Sequence, residues 1–235
     1  MNIGVIVQAR MSSQRLPGKV LQPIAGKPML QYLLERLERC QGVAEVVVAT
    51  STDQSDTPLA EFCRRYGVAC QRGPLLDVAG RFKEVLDVYQ FDGFVRISGD
   101  SPLLDCRLIE RGLEIFRQDS FDLVTNVLTR TFPKGESFEI VRGSTFKAAY
   151  ASIQTAEELE HVTKHFYQNQ SHFNIFNITS PQFYGDIQLA VDSSQDLALI
   201  TAIVGAMSRP HWQYGLEDVL QLYRQVAKPA EKVKA

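Results

Sequence analysis

Apolar residues fill positions 3–9 almost without interruption and Val and Ile dominate them, the pattern of a strand covered on both faces in a parallel sheet. After a polar stretch, Leu30, Leu33, Leu34 and Leu37 recur at helical spacing, so 28–41 predicts an amphipathic helix with Pro28 near its first turn. The alternation continues with a strand over 45–50, a helix over 59–66, a short strand over 68–71, a helix over 78–89 and a buried strand over 93–97. Such alternation predicts helices flanking a mostly parallel sheet. Right-handed crossovers then put the loop after each strand at the carboxyl edge, where ligands of open α/β sheets bind.

From residue 122 the rhythm is mixed: strand-like pieces at 122–125, 138–141, 173–177 and 188–191 are interleaved with helical stretches at 144–153 and 159–167. Antiparallel additions to the sheet are expected here. Helices over 197–207 and 216–226 close the pattern, and no Gly/Ser linker or internal repeat interrupts it. The simplest partition is one domain over 1–235 with a C-terminal helical extension over about 204–235.

Charge narrows the function classes. The 25 basic and 27 acidic residues leave a net charge of −2, too balanced to advertise a nucleic-acid or anionic-membrane surface. Lys228, Lys232 and Lys234 near the end are diluted by Pro229 and Glu231 and read as a solvated tail. Cys40, Cys63, Cys70 and Cys106 form no CxxC pair, which argues against a zinc ribbon or a thioredoxin-like motif and for free thiols in a reducing compartment. The apolar start is too short for a signal segment, and no run reaches the roughly 18 apolar residues of a membrane span. A cytoplasmic location is the expectation, with no nucleic-acid and no membrane partner and a homodimer as the default assembly.

Two polar segments leave predicted strands. Residues 8–19, QARMSSQRLPGK, carry three cations, two hydroxyls and a Gly. Arg10 and Arg15 can grip phosphate oxygens through their forks, Lys19 adds a compact charge, and backbone amides around Ser12 and Ser13 can donate as well. The same residues also fit plain surface cations beside a Pro17-Gly18 turn. No P-loop or G-x-G-x-x-G string accompanies them. In the second segment Asp100, within Gly99-Asp100-Ser101-Pro102, emerges at the carboxyl edge as a metal ligand or as the cap of a following helix.

The strings VQARMSSQRLPGKVL and GKPML resemble the N-terminal signature of the cytidylyltransferase family that includes CMP-sialic acid and CMP-KDO synthetases, and within it the spore-coat polysaccharide SpsF-like branch. The resemblance continues in RGPLLDVAGRF (72–82), RISGDSPLLD (96–105), FPKGESFEIV (132–141), ELEHVT (158–163) and VDSSQDLALI (191–200). It implies the three-layer α/β/α, Rossmann-like fold of nucleotide-diphospho-sugar transferases, with a mixed, mostly parallel sheet. It also implies in-line attack of a sugar hydroxyl on the α-phosphate of CTP, for surface polysaccharide synthesis.

On this resemblance, Arg10, Arg15, Lys19 and Asp100 are the expected catalytic groups. Ala9, Met11, Ser12, Ser13, Asp77, Arg81, Ser98 and Gly99 join Arg10, Arg15 and Lys19 around the nucleotide. Asp100 and Asp192 hold Mg²⁺, which suits two hard carboxylates and keeps its waters. Asp196 competes for that role, but is expected to cap the helix that follows it. Arg96, Glu139, Glu160 and His161 are expected around the acceptor, a sugar or sugar acid. For His161, a packed or solvent-facing place on an amphipathic helix is the other reading, and for Glu139, a strand end.

The chain departs from the branch at Lys134 and Ser137, where related sequences tend to carry Asp, and at Gln188, where they tend to carry a basic residue. These positions fall in the acceptor segments, so the acceptor is not named. The other classes are a sugar-nucleotide-dependent glycosyltransferase and a non-catalytic nucleotide-binding homologue. The number of cations in 10–19 favours a triphosphate over the diphosphate that a glycosyltransferase would bind.

Overall fold

Strand β1 (Ile3–Gln8) shows why the sheet is covered twice: Val5 and Val7 join one apolar cluster and Ile6 another, as alternation across a strand requires. A computed structural model describes residues 1–153 and 155–227, so the tail lysines Lys228, Lys232 and Lys234 lie outside the described residues. After β1 come a small antiparallel pair, β2 (Pro23–Ile24) and β3 (Lys27–Pro28), then α1 (Met29–Leu37), β4 (Val46–Ser51), α2 (Thr57–Tyr66), β5 (Ala69–Gly73), α3 (Val78–Tyr89) and β6 (Gly93–Ser98). The second half contains α4 (Cys106–Gln118), β7 (Leu123–Thr125), β8 (Glu139–Arg142), α5 (Gly143–Tyr150), α6 (Ala156–Glu160), α7 (Lys164–Gln168), β9 (Ile175–Asn177), α8 (Ser194–Gly205) and α9 (Leu216–Val226).

Seven strands form one sheet in the order β5-β4-β1-β6-β8-β7-β9. Only β8 runs against the rest, since it pairs antiparallel with both β6 and β7 while all other pairings are parallel. One face is covered by apolar residues of α1, α4, α8 and α9, the other by those of α3, α5 and α7. The chain leaves β1 toward β4 and β5, then returns to place β6 on β1's other side. The carboxyl ends of β1 and β6 therefore flank the switch point of the sheet, the crevice where α/β proteins bind ligands. The reversal of β8 brings its first residue, Glu139, to the same edge, opposite Arg96 of β6.

Three expectations are corrected. Residues 106–121 carry no predicted element, yet Ile109, Leu113 and Phe116 form the buried face of α4, which Asp105 caps through the Arg107 amide. The helix expected over 159–167 is two short ones, α6 and α7, broken at 161–163. The break turns Val162 into the core and the Thr163 hydroxyl toward Glu139, contacts that a continuous helix would trade for its own ladder. Residues 188–191 form no strand: Lys134 and Gln188 make an isolated bridge, and the Val191 amide donates to the Asp100 carbonyl at 2.9 Å. Leu189 and Val191 are buried as their pattern suggests, but their backbone partners are loops.

The segment before α9 is tied to α1 by a buried polar cluster. Arg36, 3% exposed, donates to the carbonyls of Leu104, His211 and Tyr214, while His211 Nε2 meets Glu35 at 2.6 Å. Burial pushes the His211 imidazole down to about 4 despite Glu35. At Glu35 the upward push of burial is outweighed by hydrogen bonds from His211, Lys27 and Gln31, which bring its carboxyl to about 2. Unfolding restores ordinary affinities, so the unfolded chain binds more protons as pH falls, first on the imidazole below its usual 6.5 and then on the carboxyl. Stability is thus complete above pH 6.5 and falls as pH drops toward 4. Between pH 7 and pH 5 the unfolding free energy should fall by about 2 kcal/mol, and His211→Gln should remove most of that fall in denaturant titrations.

Candidate active site

The loop after β1 is shaped by its own backbone and by one distant acid. The Gly18 amide donates to the Met11 carbonyl at 2.8 Å, which closes the loop, and Gly18 has φ +70°, a left-handed conformation suited to glycine. Asp56, fully buried, accepts from the Met11 amide at 2.6 Å and from the backbone and hydroxyl of Ser51. Asp56 is thus a structural determinant of the loop that no motif announces. These bonds also revise the amide donors expected of the loop: those of Met11 and Ser13 are spent, on Asp56 and on the Met11 carbonyl.

Where β6 ends, the Gly99 amide donates to the Gln8 carbonyl at 2.9 Å. A Cβ at Gly99 would lie 2.9 Å from that of Ala9, so glycine is needed for the two strand ends to approach this closely. Between them opens a cavity of about 280 Å³ lined by Ala9, Arg10, Ser13, Arg15, Lys19, Ser98, Asp100 and Asp192, together with Gln8. Thus eight predicted residues line one cavity. Met11 and Ser12, in the loop after β1, and Gly99, in the turn after β6, are neighbours in sequence of lining residues but do not line it themselves.

Its cations and acids are matched. The Lys19 ammonium reaches Asp100 at 2.7 Å, Asp192 at 3.0 Å and the Val191 carbonyl at 2.8 Å. Arg15 meets Asp192 at 3.1 Å, and Arg10 meets Glu160 at 2.8 Å. Partial burial would raise the Asp192 carboxyl, but Lys19 and Arg15 together hold it below the usual carboxylate range. Asp196 is committed elsewhere: its carboxylate accepts from the amides of Asp192 and Ser193, in a capping box that starts α8. That leaves Asp100 and Asp192 as the acids facing the cavity.

Two carboxylates brought together by one ammonium fit a small hard cation that takes the rest of its ligands from phosphates and water. Among the described residues no group of three or more His, Cys, Asp or Glu is placed to hold a metal ion.

A second cavity, of about 330 Å³, lies beside the first and is lined by Arg96, Arg130, Ser137, Glu139, His161 and Lys164, with Thr163 and Tyr167. Arg96 joins the two: it pairs with Glu139 and donates to Gln8 Oε1 at 3.1 Å. Glu139 also accepts from the hydroxyls of Thr163 and Tyr167, and burial followed by this carboxylate pushes the Tyr167 hydroxyl up. Arg96, Glu139 and His161 therefore lie together as expected. Glu160 does not line this cavity, because its carboxylate is taken by Arg10 of the first.

Asp77 and Arg81 open onto neither cavity. Asp77 caps α3 through the Gly80 amide and accepts from the Tyr150 hydroxyl at 2.6 Å, while Arg81 is 1% exposed. Of the departing positions, Ser137 faces the second cavity, whereas Lys134 and Gln188 are partners in an isolated bridge whose bonds run from the Lys134 amide to the Ile187 carbonyl and from the Leu189 amide to the Lys134 carbonyl. Arg130, Thr163 and Tyr167 escaped the sequence reading.

Comparison with known proteins places the chain in a family. The family described as cytidylyltransferase matches residues 4–198. An uncharacterized protein of Methanocaldococcus jannaschii is 33% identical over 201 residues, 85% of this chain and 82% of its own. The spore coat polysaccharide biosynthesis protein SpsF of Bacillus subtilis is 28% identical over 206 residues, 84% of each chain. The solved structure of a cytidylyltransferase from Leptospira borgpetersenii superposes with a TM-score of 0.92 at 26% identity, covering 97% of this chain and 95% of that one. With its cations and two acids gathered at the switch point of the sheet, the chain belongs to the cytidylyltransferase family.

Proposed function

We propose that the protein transfers CMP from CTP to a hydroxyl of a sugar acid, releasing pyrophosphate and a proton. The observation that carries this reading is the pairing of a cation-rich cavity with a second, sugar-sized one across Arg96 and Gln8. In the first, Arg10, Arg15 and Lys19 grip the triphosphate, and Ala9, Ser13 and Ser98 line the wall for ribose and base, with Met11, Ser12 and Gly99 beside them in sequence. Asp100 and Asp192 would hold Mg²⁺, whose charge would offset that of the α-phosphate and of the departing pyrophosphate.

The protein's own part is positioning and charge stabilisation. Lys19 is anchored through three oxygens, so its ammonium is held where negative charge accumulates at little reorganisation cost. Glu139 fixes Arg96 at the border of the cavities, between donor and acceptor. In the second cavity Arg96 is paired with Glu139 and Lys164 with Glu157, while Arg130 has the Ser137 hydroxyl, at 2.9 Å, as its hydrogen-bond partner among the described residues. Arg130 is therefore the cation free to receive an acceptor carboxylate, and His161 faces the same space. The likeness to SpsF supports surface polysaccharide synthesis as the use of the product, and the nucleotide substrate supports a cytoplasmic site of action.

The test is pyrophosphate release with CTP and Mg²⁺ across a panel of sugar acids and neutral sugars. Release with an acid and not with its neutral counterpart supports the reading; release with neutral sugars alone would overturn the acceptor class. A separate expectation concerns Arg15, whose side chain is 71% exposed. Arg15→Ala should leave the melting temperature unchanged and weaken CTP binding by about 10–100-fold, the loss expected for one charge-assisted phosphate contact. Calorimetric titration checks it.

A further inference from the structure

Arg81 is the least satisfied charge among the described residues. Its side chain lies on buried α3, 1% exposed, and Nε, Nη1 and Nη2 have no hydrogen-bond partner there. Burial lowers the affinity of this guanidinium for its proton and Arg10 adds to the effect, while Asp56, Glu160 and Asp77 act in the opposite direction. A buried guanidinium without partners is costly, and one carboxylate within reach would relieve much of that cost.

Helix α6, which ends at Glu160, packs against α3, and the three acids whose charge acts on Arg81 differ in one respect. Asp56 is committed to Ser51 and to the Met11 amide, bonds that hold the loop after β1. Asp77 is committed to the Gly80 amide and the Tyr150 hydroxyl. Glu160 is bound to Arg10, through Oε1 at 2.8 Å and Oε2 at 3.4 Å, and Arg10 lines the first cavity. Of the three, only Glu160 has a partner that a phosphate would claim.

We infer that Glu160 is a positioning residue that competes with the nucleotide for Arg10 and, once displaced, is received by the buried Arg81. The inference rests on reading the first cavity as a triphosphate site. Asp100 and Asp192, the acids that line the cavity, have Lys19 between them and would share the cation of a metal-bound triphosphate, whereas Glu160 would gain none and would need a new partner. Glu160 closes α6 and its side chain is about a third exposed, so it is less confined by packing than its buried neighbour Val162. Its consequence is selectivity: a ligand that does not fully engage Arg10 leaves Glu160 in place and Arg81 unsatisfied.

The test is a double-mutant cycle read by calorimetric titration of CTP with Mg²⁺. Glu160→Gln removes the competitor and should tighten binding about 5–10-fold. Arg81→Met removes the receiver and should weaken it by a similar factor, and in the Glu160→Gln background it should have no further effect. A purely structural role of Arg81 would give additive losses. Should Arg81→Met fail to fold, the Nε–H resonance of Arg81 gives the same answer: it should shift on CTP addition in the wild type and not in Glu160→Gln. Equal or weaker CTP binding by Glu160→Gln, or additivity in the cycle, would overturn the inference while leaving the cavity assignment intact. No CTP binding by the wild type would overturn both.

Discussion

Asp100→Asn should lower CTP-dependent pyrophosphate release by about 10³-fold or more while leaving the melting temperature within about 2 °C of the wild type. The substitution keeps the shape of the side chain and removes its charge. Asp100 is 20% exposed and accepts from Lys19 and Ser101, and in the variant Lys19 still has Asp192 and the Val191 carbonyl. Stability therefore changes little. On the proposed reading catalysis loses one of two acids that would place a metal's charge against the phosphates, and removal of one such electrostatic element typically costs about 3–4 kcal/mol in the transition state. Melting curves beside a pyrophosphate-coupled assay check both halves. Activity within tenfold of the wild type would remove Asp100 from the machinery.

Lys19→Met should have the second largest effect, with a different signature. Only 12% of this side chain is exposed, and its ammonium separates two carboxylates. Without it, Asp100 and Asp192 face each other across the floor of the cavity with Arg15, on the exposed side, as the remaining cation. Turnover should fall by about 10²–10³-fold, because a fixed positive charge near the transferred phosphate is lost. The melting temperature should also fall, since burying like charges without a partner costs stability. Added Mg²⁺ should raise the melting temperature of the variant more than that of the wild type, because two carboxylates without the ammonium between them gain more from an added cation. An equal Mg²⁺ response in the two proteins would place the metal elsewhere.

The legible parts of this chain were those governed by short-range periodicity. The burial of Val5, Ile6 and Val7 on two faces is written in a six-residue strand, and the spacing of Leu30, Leu33, Leu34 and Leu37 in a single helix. The seven-stranded, mostly parallel sheet follows from that alternation, and the gathering of Arg10, Lys19 and Asp100 at its edge follows from where crossovers place loops. By contrast, the break between α6 and α7 depends on what Thr163 meets, and Glu139 lies 24 positions away. The 188–191 segment alternates like a strand, yet its neighbours are loops that supply isolated partners instead of a ladder.

The same distinction holds in the site. Arg10, Arg15 and Lys19 announce themselves as a cluster of charge within one loop. Asp56 acts on that loop from 45 positions away, and nothing in its own surroundings says so. Glu160 reads as an acid beside a histidine, and only the fold shows its partner to be Arg10, 150 positions earlier. Arg81 carries a charge whose burial no local pattern would suggest. Helix α4 is a different case, since Asp105 followed by Ile109, Leu113 and Phe116 is a legible cap and stripe.

A crystal structure with CTP and Mg²⁺ tests the central claim most directly. The expected density has the triphosphate against Arg10, Arg15 and Lys19, with a metal ion touching Asp100 and Asp192 and the α-phosphate facing the cavity that holds Arg130. A triphosphate bound away from the loop after β1, or a metal bound without either acid, would contradict it.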